Sequence, residues 1–181
     1  MKYGQDHSKL RLEIAPKQSP ELLEVLELIE QRTQKNPWNV QSLCECFADP
    51  YKLLVLFYVD QVIGFAVIYN TKFSTDLLTI GIDPEYQGRG FGRYLLENTL
   101  KEALAGGATE CFLEVRFSNL RAISLYESVG FVKAGVRKNY YQASGNVPAE
   151  HAYTMHLENI SSCLNVADKR RKSLLTFQSS E

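Results

Sequence analysis

No stretch of this 181-residue chain reaches the roughly 18 consecutive apolar residues that a membrane helix needs. The opening run Met1-Lys2-Tyr3-Gly4-Gln5-Asp6-His7 lacks the apolar centre of a secretory signal. Cysteine is scarce. Cys44, Cys46, Cys111 and Cys163 fall in no regular framework, and a chain of this length can build a core without disulfides. These absences point to reduced thiols and a cytoplasmic protein. An excess of charge of one sign is missing too. Twenty basic residues stand against 21 acidic ones, a formal net charge of -1, so no global field draws the chain to nucleic acid or an anionic membrane. Metal-ligand spacing is also lacking. Cys44-Glu45-Cys46 is a lone close pair, and His7, His151 and His156 show no ligand pattern, so no metal is expected.

What remains suits one globular domain: 45% apolar residues are enough for one core. Leu10, Leu12 and Ile14 alternate with polar residues as in a half-buried strand. Ser19-Pro20 opens a helix with its stripe at Leu22, Leu26 and Ile29. Asn39, after Pro37, caps a second, shorter one. Residues 52–59 and 62–69 read as a hairpin around Asp60-Gln61, and 77–82 as a third strand. Residues 91–105 turn helical and stop at Gly106-Gly107. A strand over 110–117, a helix over 119–128 with Ser118 as its cap, and strands over 132–141 and 151–157 complete the order β-α-α-β-β-β-α-β-α-β-β. That order predicts an α/β fold with a mixed sheet and helices on both faces. The expected body spans 10–158, between a polar flexible segment at 1–9 and a basic flexible tail at 159–181. The run Lys169-Arg170-Arg171-Lys172 reads as a solvated tail in preference to a contact with ribosomal RNA.

The chemistry concentrates in Gln87-Gly88-Arg89-Gly90-Phe91-Gly92, between a strand and a helix. Three glycines let a ligand reach the backbone, and the helix behind them offers free amides at its positive end. That is an anion site for a phosphate or diphosphate, with Arg89 and Arg93 adding charge. A P-loop would need Gly-Lys-Ser/Thr, but Gly92 is followed by Arg93-Tyr94. A dinucleotide fingerprint would need glycine at position 93 and an acid at the tip of the next strand, whereas Glu114 lies mid-strand.

The pattern Gln-x-x-Gly-x-Gly after Asp83-Pro84 resembles the pyrophosphate loop of the GNAT acetyltransferases. Leu113-Glu114-Val115-Arg116, Ser118-Asn119, Ala122-Ile123, Leu125-Tyr126-Glu127-Ser128-Val129-Gly130-Phe131 and Arg137-Lys138-Asn139-Tyr140-Tyr141 resemble its RimI branch, as does Pro37-Trp38. The likeness covers roughly residues 10–158. It implies the GNAT fold, with a mixed, mostly antiparallel sheet. It also implies acetyl-CoA as co-substrate and a protein N-terminus as acceptor, the N-terminal alanine of a small-subunit ribosomal protein. Acetylation of a lysine or a small amine is the alternative, and a non-catalytic acetyl-CoA-binding module is a third.

On spacing alone, Glu114 reads as an exposed acid paired with Arg116 or a cross-strand cation, and Tyr126 as a core aromatic. The resemblance implies instead that Glu114 is the general base and Tyr126 the general acid. It implies that Ile80-Gly81-Ile82 offers backbone to the pantetheine, and that one of its amides polarises the thioester carbonyl. Gly88, Arg89, Gly90, Phe91, Gly92 and Arg93 would hold the diphosphate. Asn119 would contact the pantetheine or position the acid, or else cap its helix. Trp38, Tyr140 and Tyr141 are either walls of a substrate tunnel or core aromatics. An acid is usual in the branch where His151 stands, which bears on peptide preference.

Overall fold

A computed structural model describes residues 9–15 and 18–166. His7 and the basic run at 169–172 lie outside the described residues. Among the described residues no helix is long and apolar enough to cross a membrane. Seven strands form one sheet: β1 (Leu10–Ile14), β2 (Tyr51–Tyr58), β3 (Gln61–Asn70), β4 (Ser74–Ile82), β5 (Glu110–Arg116), β6 (Val132–Tyr141) and β7 (Glu150–Leu157). Their spatial order is β1-β2-β3-β4-β5-β7-β6. Only β4 and β5 pair in parallel, because helix α3 (Phe91–Ala105) carries the chain back between them. The mixed, mostly antiparallel sheet is the one the sequence order predicts.

Helices cover both faces for a reason visible in β2. Its run Leu53-Leu54-Val55-Leu56 is apolar at every position, so neither face can meet water. Leu53 and Val55 pack with Phe65 and Val67 under Leu23, Leu26 and Ile29 of α1 (Pro20–Thr33) and Leu43 of α2 (Val40–Glu45). Leu54 and Leu56 face the other way. They join Leu95, Leu96 and Leu100 of α3, Ile123 of α4 (Leu120–Val129), and Leu113, Val115 and Met155 of the far strands. Ser19 caps α1 by accepting from the Leu22 amide, with Pro20 in the first turn, and Asn39 caps α2.

Several boundaries differ from expectation, among them the start of β4 at Ser74, three residues before the expected one. The hairpin turns at Val59-Asp60, one residue early, with Val59 in the left-handed region. Asn119, not Ser118, caps α4, accepting from the Ala122 amide. Ser118 is held elsewhere: its amide donates to Glu150, and its hydroxyl accepts from Lys35. The packed body also runs past the expected boundary at 158. Residues 160–166 are helical, Ile160 and Leu164 are buried in the core beside α3 and α4, and the Ile160 amide bonds the Thr109 carbonyl.

Burying an aliphatic side chain contributes roughly 1.5–3 kcal/mol. A chain ended after residue 158, which lacks Ile160 and Leu164, should therefore melt roughly 6–24 °C below the full chain by calorimetry. An unchanged Tm would place these two residues outside the core.

Candidate active site

β4 and β5 pair over four residues each, Ser74 to Leu77 with Glu110 to Leu113, and then part. Leu78 is the point of departure. Ile68 pairs with Leu77 and Val67 with Thr79, so Leu78 is the extra residue of a bulge in the β3–β4 ladder. Beyond it, the β5-facing edge of β4 has no strand partner among the described residues. A cavity of about 530 Å³ fills the wedge. Ile80, Gly81 and Ile82 line it. Two side-chain amides reach this edge: Gln34 Nε2 donates to the Ile80 carbonyl at 3.4 Å and Gln87 Nε2 to the Ile82 carbonyl at 2.8 Å. Gly81 also lets α1 approach, since a side chain there would meet Thr33 Oγ1 at 2.9 Å.

The glycine loop closes one end of the wedge. Asp83, ion-paired with Arg32 at 2.7 Å, caps a single 3-10 turn over Pro84–Tyr86 that leads into it. Gly88 (φ 78°) and Gly90 (φ 80°) hold left-handed conformations that a side chain resists. Gly90 is the residue before α3 and offers no side-chain cap, so the first amides of this 15-residue helix face the loop without a side-chain acceptor. A methyl group added at Gly88 would find only Arg121 within 4.0 Å, so the space before the loop is open. An open backbone cradle at a helix N-terminus fits a diphosphate.

The two arginines singled out in the sequence are occupied. Arg89 donates to the Glu85 carbonyl and lies over the Tyr86 ring, outside the cavity lining. Arg93 lines the cavity but is tied to Glu97 and Ser128. Phe91 contributes backbone only, because its ring is buried in the core beside Tyr58. The cation at the loop is Arg121, which sequence reasoning missed. Its Nη1 donates to Gln87 Oε1 at 2.7 Å and its Nη2 stands over Gly88. One signal was present: a cation in the first turn of α4 opposes that helix's dipole and calls for an anion nearby.

Glu114 and Tyr126 both line the cavity, from opposite faces of the sheet. Leu113 and Val115 point into the α3–α4 core, so by alternation Glu114 points toward the α1 side. Tyr126 belongs to the α3–α4 core, 6% exposed, with its ring on Phe131. Burial pushes its phenol well above the usual range, with Tyr141 and Cys111 adding to the effect. Among the described residues its hydroxyl has no hydrogen-bond partner. Glu114 is partly exposed and accepts from Arg137 Nη1 at 3.1 Å. The cross-strand cation expected for it is thus Arg137. Arg116 turns instead to Glu150 and Asn36. Asp76 lies near Glu114; burial raises its pKa first, and the Glu114 charge adds to that. Asn119 caps α4 and lines the cavity.

On the α1 side the rim is aromatic and charged. Trp38 and Tyr141 line the cavity, whereas Tyr140 stacks under Arg137 outside it. Burial raises the Tyr141 phenol to about 12 despite the opposing Arg116 charge, and its hydroxyl donates to the Glu114 carbonyl at 3.3 Å. The acid at the start of β7 that meets this rim is Glu150. His151 accepts from the Asn139 amide and packs edge-on to Phe117. Partial burial raises the Glu150 carboxyl, but Ser118, Arg116 and Lys35 outweigh it and bring the pKa down to about 2. Glu30 was also missed. It sits four residues after Leu26 on the apolar stripe of α1, a position an exposed acid would not take. It is 1% exposed and accepts from the Trp38 amide at 3.2 Å and Thr79 Oγ1 at 3.1 Å.

A parted parallel pair, an open strand edge and a glycine cradle at a helix N-terminus offer the shape and the free amides that an extended, diphosphate-bearing carrier needs. The acetyltransferase (GNAT) family profile matches residues 15–131, and the chain belongs to that family. It is an acetyl-CoA-dependent N-acetyltransferase. It is 40% identical over 113 residues to the [ribosomal protein bS18]-alanine N-acetyltransferase of Salmonella typhimurium, covering 62% of this chain and 76% of that one. It is 46% identical over 87 residues to the N-alpha-acetyltransferase RimI of Mycobacterium tuberculosis, covering 48% and 51%. The crystal structure of the ribosomal-protein-S18-alanine N-acetyltransferase from Escherichia coli superposes with a TM-score of 0.73 at 32% identity, covering 82% and 92%.

Burial raises the Glu30 pKa against the two hydrogen bonds that lower it. A carboxyl raised on folding contributes stability that is complete below its unfolded pKa and is lost as pH rises through the folded one. Glu30→Gln should therefore raise Tm at pH 8 relative to the wild type and leave it nearly unchanged at pH 4. Equal Tm values at pH 8 would show that the buried charge costs nothing.

Proposed function

We propose that this enzyme moves the acetyl group of acetyl-CoA to the α-amine of a protein N-terminus in the cytoplasm, with the N-terminal alanine of a small-subunit ribosomal protein as its acceptor. The observation that carries the reading is the cavity through the sheet, bordered by a buried phenol on one face and a carboxylate on the other. The relatives named above acetylate the same kind of terminus. An α-amine also suits a site whose base is a carboxylate. Losing its proton at pH 7 costs about 1 kcal/mol, against about 4.6 kcal/mol for a lysine side chain.

The co-substrate's diphosphate would lie on the amides behind Gly88, Gly90 and Gly92, with Arg121 above it. Its pantetheine would run along the open edge at Ile80, Gly81 and Ile82 and displace the Gln34 and Gln87 amides. Asn119 would border the pantetheine. An amide of this edge would polarise the thioester carbonyl. Glu114, directly or through one water, takes the proton of the attacking amine. The new C–N bond forms as the C–S bond breaks. Tyr126 gives its proton to the departing thiolate and recovers one from solvent. Burial keeps the phenol protonated at neutral pH, so its proton is in place when the thiolate departs.

Incubation with acetyl-CoA and an alanine-starting peptide of the ribosomal protein should give an N-terminally acetylated product by mass spectrometry. Tyr126→Phe should bind acetyl-CoA nearly as well yet lower kcat by the ~10²–10⁴ typical of lost acid–base catalysis. An unchanged kcat would remove Tyr126 from the mechanism. The ion pair with Arg137 supports a competing, structural role for Glu114. Glu114→Gln separates the two, because loss of a base moves the pH–rate profile to higher pH, and loss of a surface ion pair does not.

A further inference from the structure

The connection between α1 and α2 crosses the rim of the cavity and is tied down on the far side by one residue. Arg116, at the end of β5, is 7% exposed. Its Nη2 donates to Asn36 Oδ1 at 2.7 Å, in the α1–α2 connection. Its Nη1 donates to Glu150 Oε2 at 3.1 Å, at the start of β7. Its guanidinium carbon lies 3.8 Å from the centroid of the Tyr141 ring, at the end of β6. Three separate segments meet on one planar cation. Three further contacts reinforce them: Lys35 reaches Ser118 and Glu150, and Asn36 Nδ2 donates to the Gln142 carbonyl at 3.4 Å.

A buried guanidinium must have its charge and donors met, or the desolvation penalty stands alone. Here the carboxylate, the amide oxygen and the ring face meet it together. Only a planar fork can serve all three directions at once; an ammonium is a point charge. Arg116 also lies two residues beyond Glu114, and the Tyr141 it stacks on donates to the Glu114 backbone. The tie therefore sets the gap between the α1–α2 connection and the β6–β7 hairpin on the side of the sheet that Glu114 faces.

We propose that Arg116 is a positioning residue for the acceptor amine, fixing that gap without touching the reacting atoms. The inference rests on the preceding reading that the amine arrives on the Glu114 side. Arg116→Gln should raise the peptide KM roughly tenfold or more, as expected for losing hydrogen bonds to a charged group, and change kcat little. The dissociation constant for acetyl-CoA, read by calorimetry, should not move. Arg116→Lys should fail to restore KM. Asn36→Ala, which cuts one arm of the tie, should raise KM by less, and should add nothing in the Arg116→Gln background, because residues sharing one interaction are not additive. If Arg116→Gln, which leaves Glu150 with Lys35 and the Ser118 amide, does not fold, Asn36→Ala carries the test alone. An unchanged KM, an additive double variant, or acetyl-CoA affinity lost in step with KM would overturn the proposal. A wild-type enzyme that acetylates no peptide would instead overturn the preceding reading.

Discussion

β4 and β5 hold each other through four residue pairs, and the rest of the site depends on their parting. Parallel strands that stayed paired to their ends would bury the backbone of Ile80 to Ile82 and leave no path through the sheet. The bulge at Leu78 turns β4 away, and the missing ladder leaves polar backbone facing a cavity. Such groups are costly unless something bonds them. Here two glutamine side-chain amides do so. The same parting puts the first turn of α3 at one end of the gap and α4 along its side, so a cradle for anions and a buried phenol flank one opening.

Charge is used unequally on the two faces. On the α3–α4 side the opening meets a phenol kept protonated by burial. On the α1 side charges are numerous and almost all committed: Arg116 with Glu150, Lys35 with Glu150, Arg137 with Glu114, and Glu30 with the Trp38 amide. These contacts fix the shape of a rim made of loops and strand ends, where apolar packing alone would leave alternatives. Glu30 shows the cost, since its charge is desolvated to hold the α1–α2 connection in place.

What was legible in the sequence was local. The caps at Ser19 and Asn39 and the glycines at 88 and 90 each depend on neighbours a few residues away, and each stands where it was expected; the alternation of β1 held at Leu10 and Leu12 but not at Ile14, which is exposed. The order of elements followed, and with it the mixed sheet. The arginines at 89 and 93 have other partners, because closeness in sequence to a loop does not say which way a long side chain turns. Arg93 is drawn to Glu97 one helical turn on, and Arg89 to the Glu85 carbonyl.

The sequence by itself therefore determined the elements, the anion cradle and the family, because backbone conformation and hydrophobic period are short-range properties. Tertiary structure alone decided which side chains meet at the gap. Arg121 reaches Gln87 across 34 residues, Glu30 reaches Thr79 across 49, and Arg116 reaches Asn36 across 80. No spacing rule encodes those meetings. They exist only because two strands separate after a short pairing and bring distant segments to the same opening.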